Sequence, residues 1–354
     1  MRKLFIFVSA AIFAAAMVSC IQEAAVVKPG KGNVAFSIQT PGVATKVIGD
    51  GTNVDILYYE IYKAPAVEGE TEHKNSVIDG KPLIDGTVAV TTSGEGMEAV
   101  TSATLNFNLL EDQDYVALFW AHVDGKSYYN VDDLRAVTVN YTDEEGNAHE
   151  ANDESRAAFC QVCKFSTRNI EDVENNDERE YKVYEGPISV KLVRPFAQLN
   201  LGTEFESLNK DYLITMEQSK VVLTNVHSNY DVFSMDTFGD KTQVTFDFAD
   251  VPAKDDEVLS VVKDGNSVDY AYAGMNYFLA PADGSNLELE YFIMTDVGTV
   301  NRAVSNVPVK ANYRTNILGN LLTTSAQLDI VIEKSFRDPN NTDEPYNTDP
   351  EIWY

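Results

Sequence analysis

The chain has 354 residues, 44% apolar and 10% aromatic, enough for one large or two ordinary domains with full cores. It carries 27 Lys and Arg against 55 Asp and Glu, a formal charge of −28. Phosphate binding needs a basic face, so the balance argues against a nucleic-acid partner; such acidity reads as solubility and self-repulsion on an exposed surface.

At the amino terminus, Met1, Arg2 and Lys3 give a positive start, and residues 4–18 form an almost unbroken apolar run. That run is short for a bilayer span and suits the h-region of a signal peptide occupying residues 1–19. No later segment stays apolar for 18 residues, so no transmembrane helix is expected in the mature chain. Ser19 followed by Cys20 resembles a bacterial lipobox, with Met17 and Val18 in place of the usual leucine and small residue. In a lipoprotein the Cys20 thiol becomes a diacylglycerol thioether and the new amino terminus is acylated, each buried methylene contributing about 0.8 kcal/mol to anchoring. The other reading is an ordinary secreted chain in which Cys20 is removed or incidental. Residues 20–32 read as a flexible tether, lipidated under the first reading.

Strand patterns then follow. In 33–39, Val34, Phe36 and Ile38 share one face and Ala35, Ser37 and Gln39 the other, the period of a half-buried strand. Residues 103–110 repeat it with Leu105, Phe107 and Leu109. Residues 115–123 are apolar on both faces and predict a central strand. Alternation returns in 242–248, in 286–294 and in 326–334, the last with Leu328, Ile330 and Ile332. Turn chemistry marks 48–53, 123–128 and 282–286. Helical periodicity is scarce: 130–137 and 151–158 are each read as a helical turn or two. Many short strands and few helices predict an all-β chain of sandwiches.

The acidic run 171–180 reads as a solvated loop, after which a new series of strands begins. The expected boundary divides an N-terminal sandwich, 33–186, from a C-terminal one with an extended tail, 187–354. Pro187 and Pro195 put the adjoining strands at sheet edges or bends, because proline donates nothing to a ladder. Cys160 and Cys163 form a lone CxxC in a strand-like context, read as structural, with a local disulfide as one form of that role.

Little points to catalysis. The four histidines, His73, His122, His149 and His227, have no zinc-motif spacing, and His122 reads as a packed core residue. The glycine-bearing 91–97 lacks a P-loop lysine and a nucleophile elbow. A carboxylate dyad is open to any chain this acidic, and sequence spacing does not establish one. The expectation is no enzyme, no cofactor and no metal site. A glycan-binding surface lipoprotein is the alternative function, weakened because Trp120 lies in an apolar strand and the tyrosines of 57–62 suit sheet packing.

Three segments together, 32–52 (GNVAFSIQTPGVATKVIGDGT), 193–203 (VRPFAQLNLGT) and 306–332 (NVPVKANYRTNILGNLLTTSAQLDIVI), resemble the fimbrillin family of type V pilin subunits and related fimbrial lipoproteins. The resemblance implies two tandem transthyretin-like β-sandwich domains behind a lipoprotein signal peptide, and no active site. It implies a cell-surface location, lipid-anchored in the outer membrane or released into a fimbrium, with other fimbrial subunits as partners. It also implies assembly by strand exchange. The first strand, 33–40 with Val34, Phe36 and Ile38 inward, is cut off and leaves, and a neighbour's C-terminal strand fills the groove by β-augmentation. The cut would fall between Lys46 and Val47, where lysine stands in the place expected for arginine. Either a lysine-tolerant protease acts there, or the site stays uncut and the anchor remains. The donor would be 327–333, with Leu328, Ile330 and Ile332 for alternate pockets; the other reading is a last strand paired within its own domain.

Overall fold

Alternating apolar residues become strands that bury one face, and strands account for nearly all the regular structure. A computed structural model of the chain describes residues 32–40, 53–64, 78, 80–93, 100–173, 175, 179, 181–205, 219–247, 258–263, 266–295, 298–322, 328–334 and 351–353. The first half supplies β1 (Asn33–Gln39), β2 (Ile56–Lys63), β3 (Ile84–Ala89), β4 (Thr91–Ser93), β5 (Val100–Asn108), β6 (Asp114–His122), β7 (Tyr129–Asn130), β8 (Val137–Val139), β9 (His149–Glu150), β10 (Phe159–Ser166), β11 (Lys182–Val183) and β12 (Ile188–Lys191). The second supplies β13 (Phe196–Thr203), β14 (Lys220–Asp231), β15 (Asp236–Asp247), β16 (Val258–Lys263), β17 (Asn266–Leu279), β18 (Ser285–Thr295), β19 (Gly298–Val309), β20 (Tyr313–Gly319), β21 (Leu328–Lys334) and β22 (Glu351–Trp353).

The chain is all-β, and its described residues form three sheets. One has the order β12-β1-β5-β4, a second β11-β10-β6-β2-β3, and the third runs β19-β18-β14-β17-β13-β20-β21-β22 with β15, β16, β7, β8 and β9 attached. The first two pack face to face. The Phe36 ring of β1 lies 5.4 Å from Phe119 and 5.3 Å from Phe165 of the opposing sheet, both edge-on. The other face of β6 turns toward the second half of the chain, where Trp120 meets Phe196 at 6.3 Å and Tyr230 at 6.2 Å. Every residue of β6 is therefore buried. A strand between two packed layers has no solvent face, so its sequence shows no alternation.

The two halves interlock. Residues 129–150 leave the first half and pair with the second, β8 with β14 and β9 with β15. Conversely Ile188–Lys191, beyond the expected boundary at 186/187, pairs with β1. β12 is the edge of its sheet and Pro187 precedes it, while Pro195 stands just before β13, which is central between β17 and β20. At the junction the Tyr141 hydroxyl donates to the His227 carbonyl and accepts from the Leu279 N–H, each at 3.0 Å. These are the two residues through which β14 and β17 touch before diverging.

Two expectations change. Residues 130–137 are not helical: they run from β7 through turns into β8. Asn130 accepts from the Asp132 N–H and Asp133 from the Arg135 N–H, local bonds that compete with a helical backbone. In 151–158 the expected helical turn is present, as a single 3₁₀ turn over Glu154–Arg156 capped by Asp153. The local disulfide is also absent. Cys160 and Cys163 are free thiols, and an odd spacing on a strand sends them to opposite faces of β10. Burial pushes both thiols up to about 12. Alkylation at pH 8, read by peptide mapping at these two positions, is expected to be at least tenfold slower in the native chain than in urea, because the thiolate is the reactive form.

His122 is buried, as expected. Its Nδ1 accepts from Trp120 Nε1 at 3.1 Å, and its ring stacks on Tyr58 at 5.2 Å. Desolvation lowers it to about 4, against smaller opposing pulls from Asp124 and Asp55. The unfolded chain, with histidine near 6.5, binds this proton first as pH falls. The contribution of roughly 3 kcal/mol is thus present above about pH 6.5 and lost on descending toward 4. A His122→Gln variant is expected to flatten that part of the stability–pH curve in urea titrations.

Candidate functional site

The sequence singles out β1, and the structure places it inside a sheet. It runs antiparallel to β5 along its whole length, Asn33 opposite Asn108 through Gln39 opposite Ser102, and parallel to β12 from Phe36 opposite Ile188 to Gln39 opposite Lys191. Upstream of β12 the Ala35 N–H, which has no strand on that side, donates to the Tyr184 hydroxyl at 3.1 Å. Taking β1 away would uncover backbone donors and acceptors on two strands and split the sheet, because among the described residues β12 pairs with no other strand.

Inward, Val34, Phe36 and Ile38 are at most 2% exposed. Burying each such side chain is worth about 1.5–3 kcal/mol. Phe36 occupies an aromatic site formed by Phe107 at 6.0 Å together with Phe119 and Phe165. Beside Ile38, the side chains of Leu57, Val90, Ala103, Ala121 and Leu192 close around a narrow gap with no room for a water molecule. Outward, Ala35, Ser37 and Gln39 are half-buried. The sequence shows Phe107 and Phe119 as core-facing. Their convergence with Phe165 on one ring was not legible, since nothing local links strands 12 to 58 residues apart.

The other expected residues are placed as follows. Leu328, Ile330 and Ile332 lie on β21, which pairs antiparallel with β20 on one side and β22 on the other. They stand opposite Gly319, Ile317 and Thr315 and are half-buried; Val331, on the opposite face, is buried. Asn316 donates to Glu333 at 3.0 Å and holds β21 in register. The structure does not bring β21 and β1 together: they belong to different sheets. The signal peptide, Cys20, Lys46, Val47 and tail residues 337–350 lie outside the described residues. Among the described residues no group of three or more His, Cys, Asp or Glu is placed to hold a metal ion, and no helix is long and apolar enough to cross a membrane.

Residues 33–349, from the first residue of β1 into the tail, match the family of unknown function DUF6562. The chain belongs to this family. No curated protein matches this DUF6562 chain. It is similar to a solved fimbrial assembly protein of Parabacteroides distasonis, at 12% identity over 85% of this chain and 95% of that one, with a TM-score of 0.42. It is also similar to a C-terminally truncated form of the tip fimbrial protein Mfa3 of Porphyromonas gingivalis, at 10% identity over 85% and 98% of the respective chains, with a TM-score of 0.38.

Proposed function

We propose that this chain is a surface-adhesion or fimbrial subunit, exported as a lipoprotein through Cys20, whose first strand gives way to a strand from another subunit. The supporting observation is the place of β1. It is the first strand of the fold yet fills an interior slot between β12 and β5, with Val34, Phe36 and Ile38 buried. Because its only onward connection leaves through Thr40, a single cut in the segment that follows would detach it. The vacated slot would present two unpaired edges and an apolar trench, a strong drive to accept another strand. The segment 327–333 is the donor to a neighbour: one face carries Leu328, Ile330 and Ile332, and leaving β20 and β22 gives up two ladders for the two edges of the vacated slot.

The amino-terminal residue of mature protein from cells tests the cut, since acylated Cys20 means retention and Val47 means release. Released protein is expected to form SDS-resistant ladders that disappear when residues 327–354 are deleted. Surface protein that stays monomeric with its anchor intact, and is unaffected by the deletion, would sink the proposal. A glycan-binding role has less support: every tyrosine among the described residues is buried or half-buried, and Trp120 is buried, so none offers an open stacking platform.

A further inference from the structure

We infer that the strand replacing β1 comes from a different chain, one with an aromatic side chain at its central inward position, and that a second copy of this chain is a poor donor. The inference rests on the exchange reading above and concerns the identity of the partner.

The central site is built for a ring. Phe36 is fully buried, with three phenylalanine rings within 6.0 Å of it, two of them on the opposing sheet. Edge-on packing of this kind contributes beyond simple burial, and a smaller occupant leaves a void that rigid neighbouring strands do not close. Laid into the slot in the direction of β1, the chain's own Leu328-to-Glu333 segment puts Ile330 where Phe36 stands. The same alignment puts Asp329 at the place of Ala35, a half-buried position beside the Tyr184 hydroxyl. A carboxylate there replaces a methyl group at a half-buried position and loses part of its hydration. Shifting by one residue does not help, because it turns Asp329, Val331 and Glu333 inward and buries two carboxylates.

The terminal residues do no better. With Ile352 at the central place, the 350–354 segment offers an aliphatic side chain where Phe36 stands and Pro350 where Val34 stands. Trp353 shares its face with Glu351. The partner's strand therefore reads aliphatic, small and uncharged, aromatic, polar, aliphatic.

Strand capture tests this. The full chain, with one engineered protease sequence replacing residues 41–46, is cut while folded. It is then incubated with fluorescent synthetic peptides: residues 33–39, the same peptide with Phe36→Ile, residues 328–334, and residues 349–354. Co-elution on gel filtration reports capture. The expected result is capture of the 33–39 peptide at least tenfold tighter than that of the other three. Equal capture of the 328–334 or 349–354 peptide overturns the inference and makes a second copy an adequate donor, while leaving strand exchange intact. Equal capture of the Phe36→Ile peptide overturns the aromatic requirement. Failure to capture any peptide, 33–39 included, overturns the exchange reading itself.

Discussion

Phe36→Ala will destabilise the folded chain by about 3–5 kcal/mol, the range for removing a buried phenylalanine from a core that does not collapse around the gap. The side chain is 0% exposed, and its three ring neighbours sit on strands whose backbones are fixed by their own ladders. Loss of the ring thus leaves most of its volume unfilled. For a chain of this size the shift corresponds to a fall in melting temperature of about 4–7 °C. Urea titration and calorimetry on the purified mature chain measure it. Ser37→Ala, one residue along on the outward face, is expected to stay within about 0.5 kcal/mol. A Phe36→Ala shift below about 1 kcal/mol would mean that β1 is not part of the core, and the proposed groove would have no energetic basis.

Tyr141→Phe will cost about 2–4 kcal/mol, although it removes only one oxygen. That oxygen accepts from the Leu279 N–H and donates to the His227 carbonyl. It satisfies two backbone groups at the fork where β14 and β17 separate. Phenylalanine keeps the ring's packing edge-on to Phe246 at 6.2 Å, but leaves a donor and an acceptor without their partner in a buried place. Because residues 129–150 are threaded from the first half onto the second, the damage is expected at the junction. Hydrogen exchange should rise around 137–141, 227–231 and 275–279 before it rises in β1 or β5. A change confined to one half, with the junction still protected, would show that the two halves are held together by something other than this contact.

Much of the first sandwich was legible in the sequence because its strands keep one wet or half-wet face. Residues 33–39 alternate, and β1 has those bounds. The same holds for 103–110 within β5, apart from its last two residues, and for 286–294 within β18. Where both faces are covered, the pattern disappears. Ten successive buried residues end β17, among them Gly274 and Asn276, and they carry no period that marks a strand. The stretch 313–319 likewise mixes Tyr313, Arg314, Asn316 and Gly319 with few apolar positions, yet it forms β20, because β13 and β21 supply a ladder on each side. The helical reading of 130–137 failed for the opposite reason: its spacing was local, while asparagine and aspartate side chains took the backbone N–H groups that a helix would have used.

By itself the sequence determined that this is an all-β chain, that Val34, Phe36 and Ile38 form one buried face, and that His122 belongs to the core; Pro187 does precede an edge strand, β12, whereas Pro195 precedes β13, which is central. These properties are written in alternation and in backbone chemistry, which act over a few residues. Only the tertiary structure decided that β1 lies between β5 and β12, that β12 arrives from beyond the acidic run 171–180, and that Phe107, Phe119 and Phe165 converge on one ring. It also decided that Tyr141 sits at a fork in a sheet to which its own half contributes only short strands. Each of these depends on pairing partners far apart in the chain, and a β-ladder leaves no record of its partner in the local sequence.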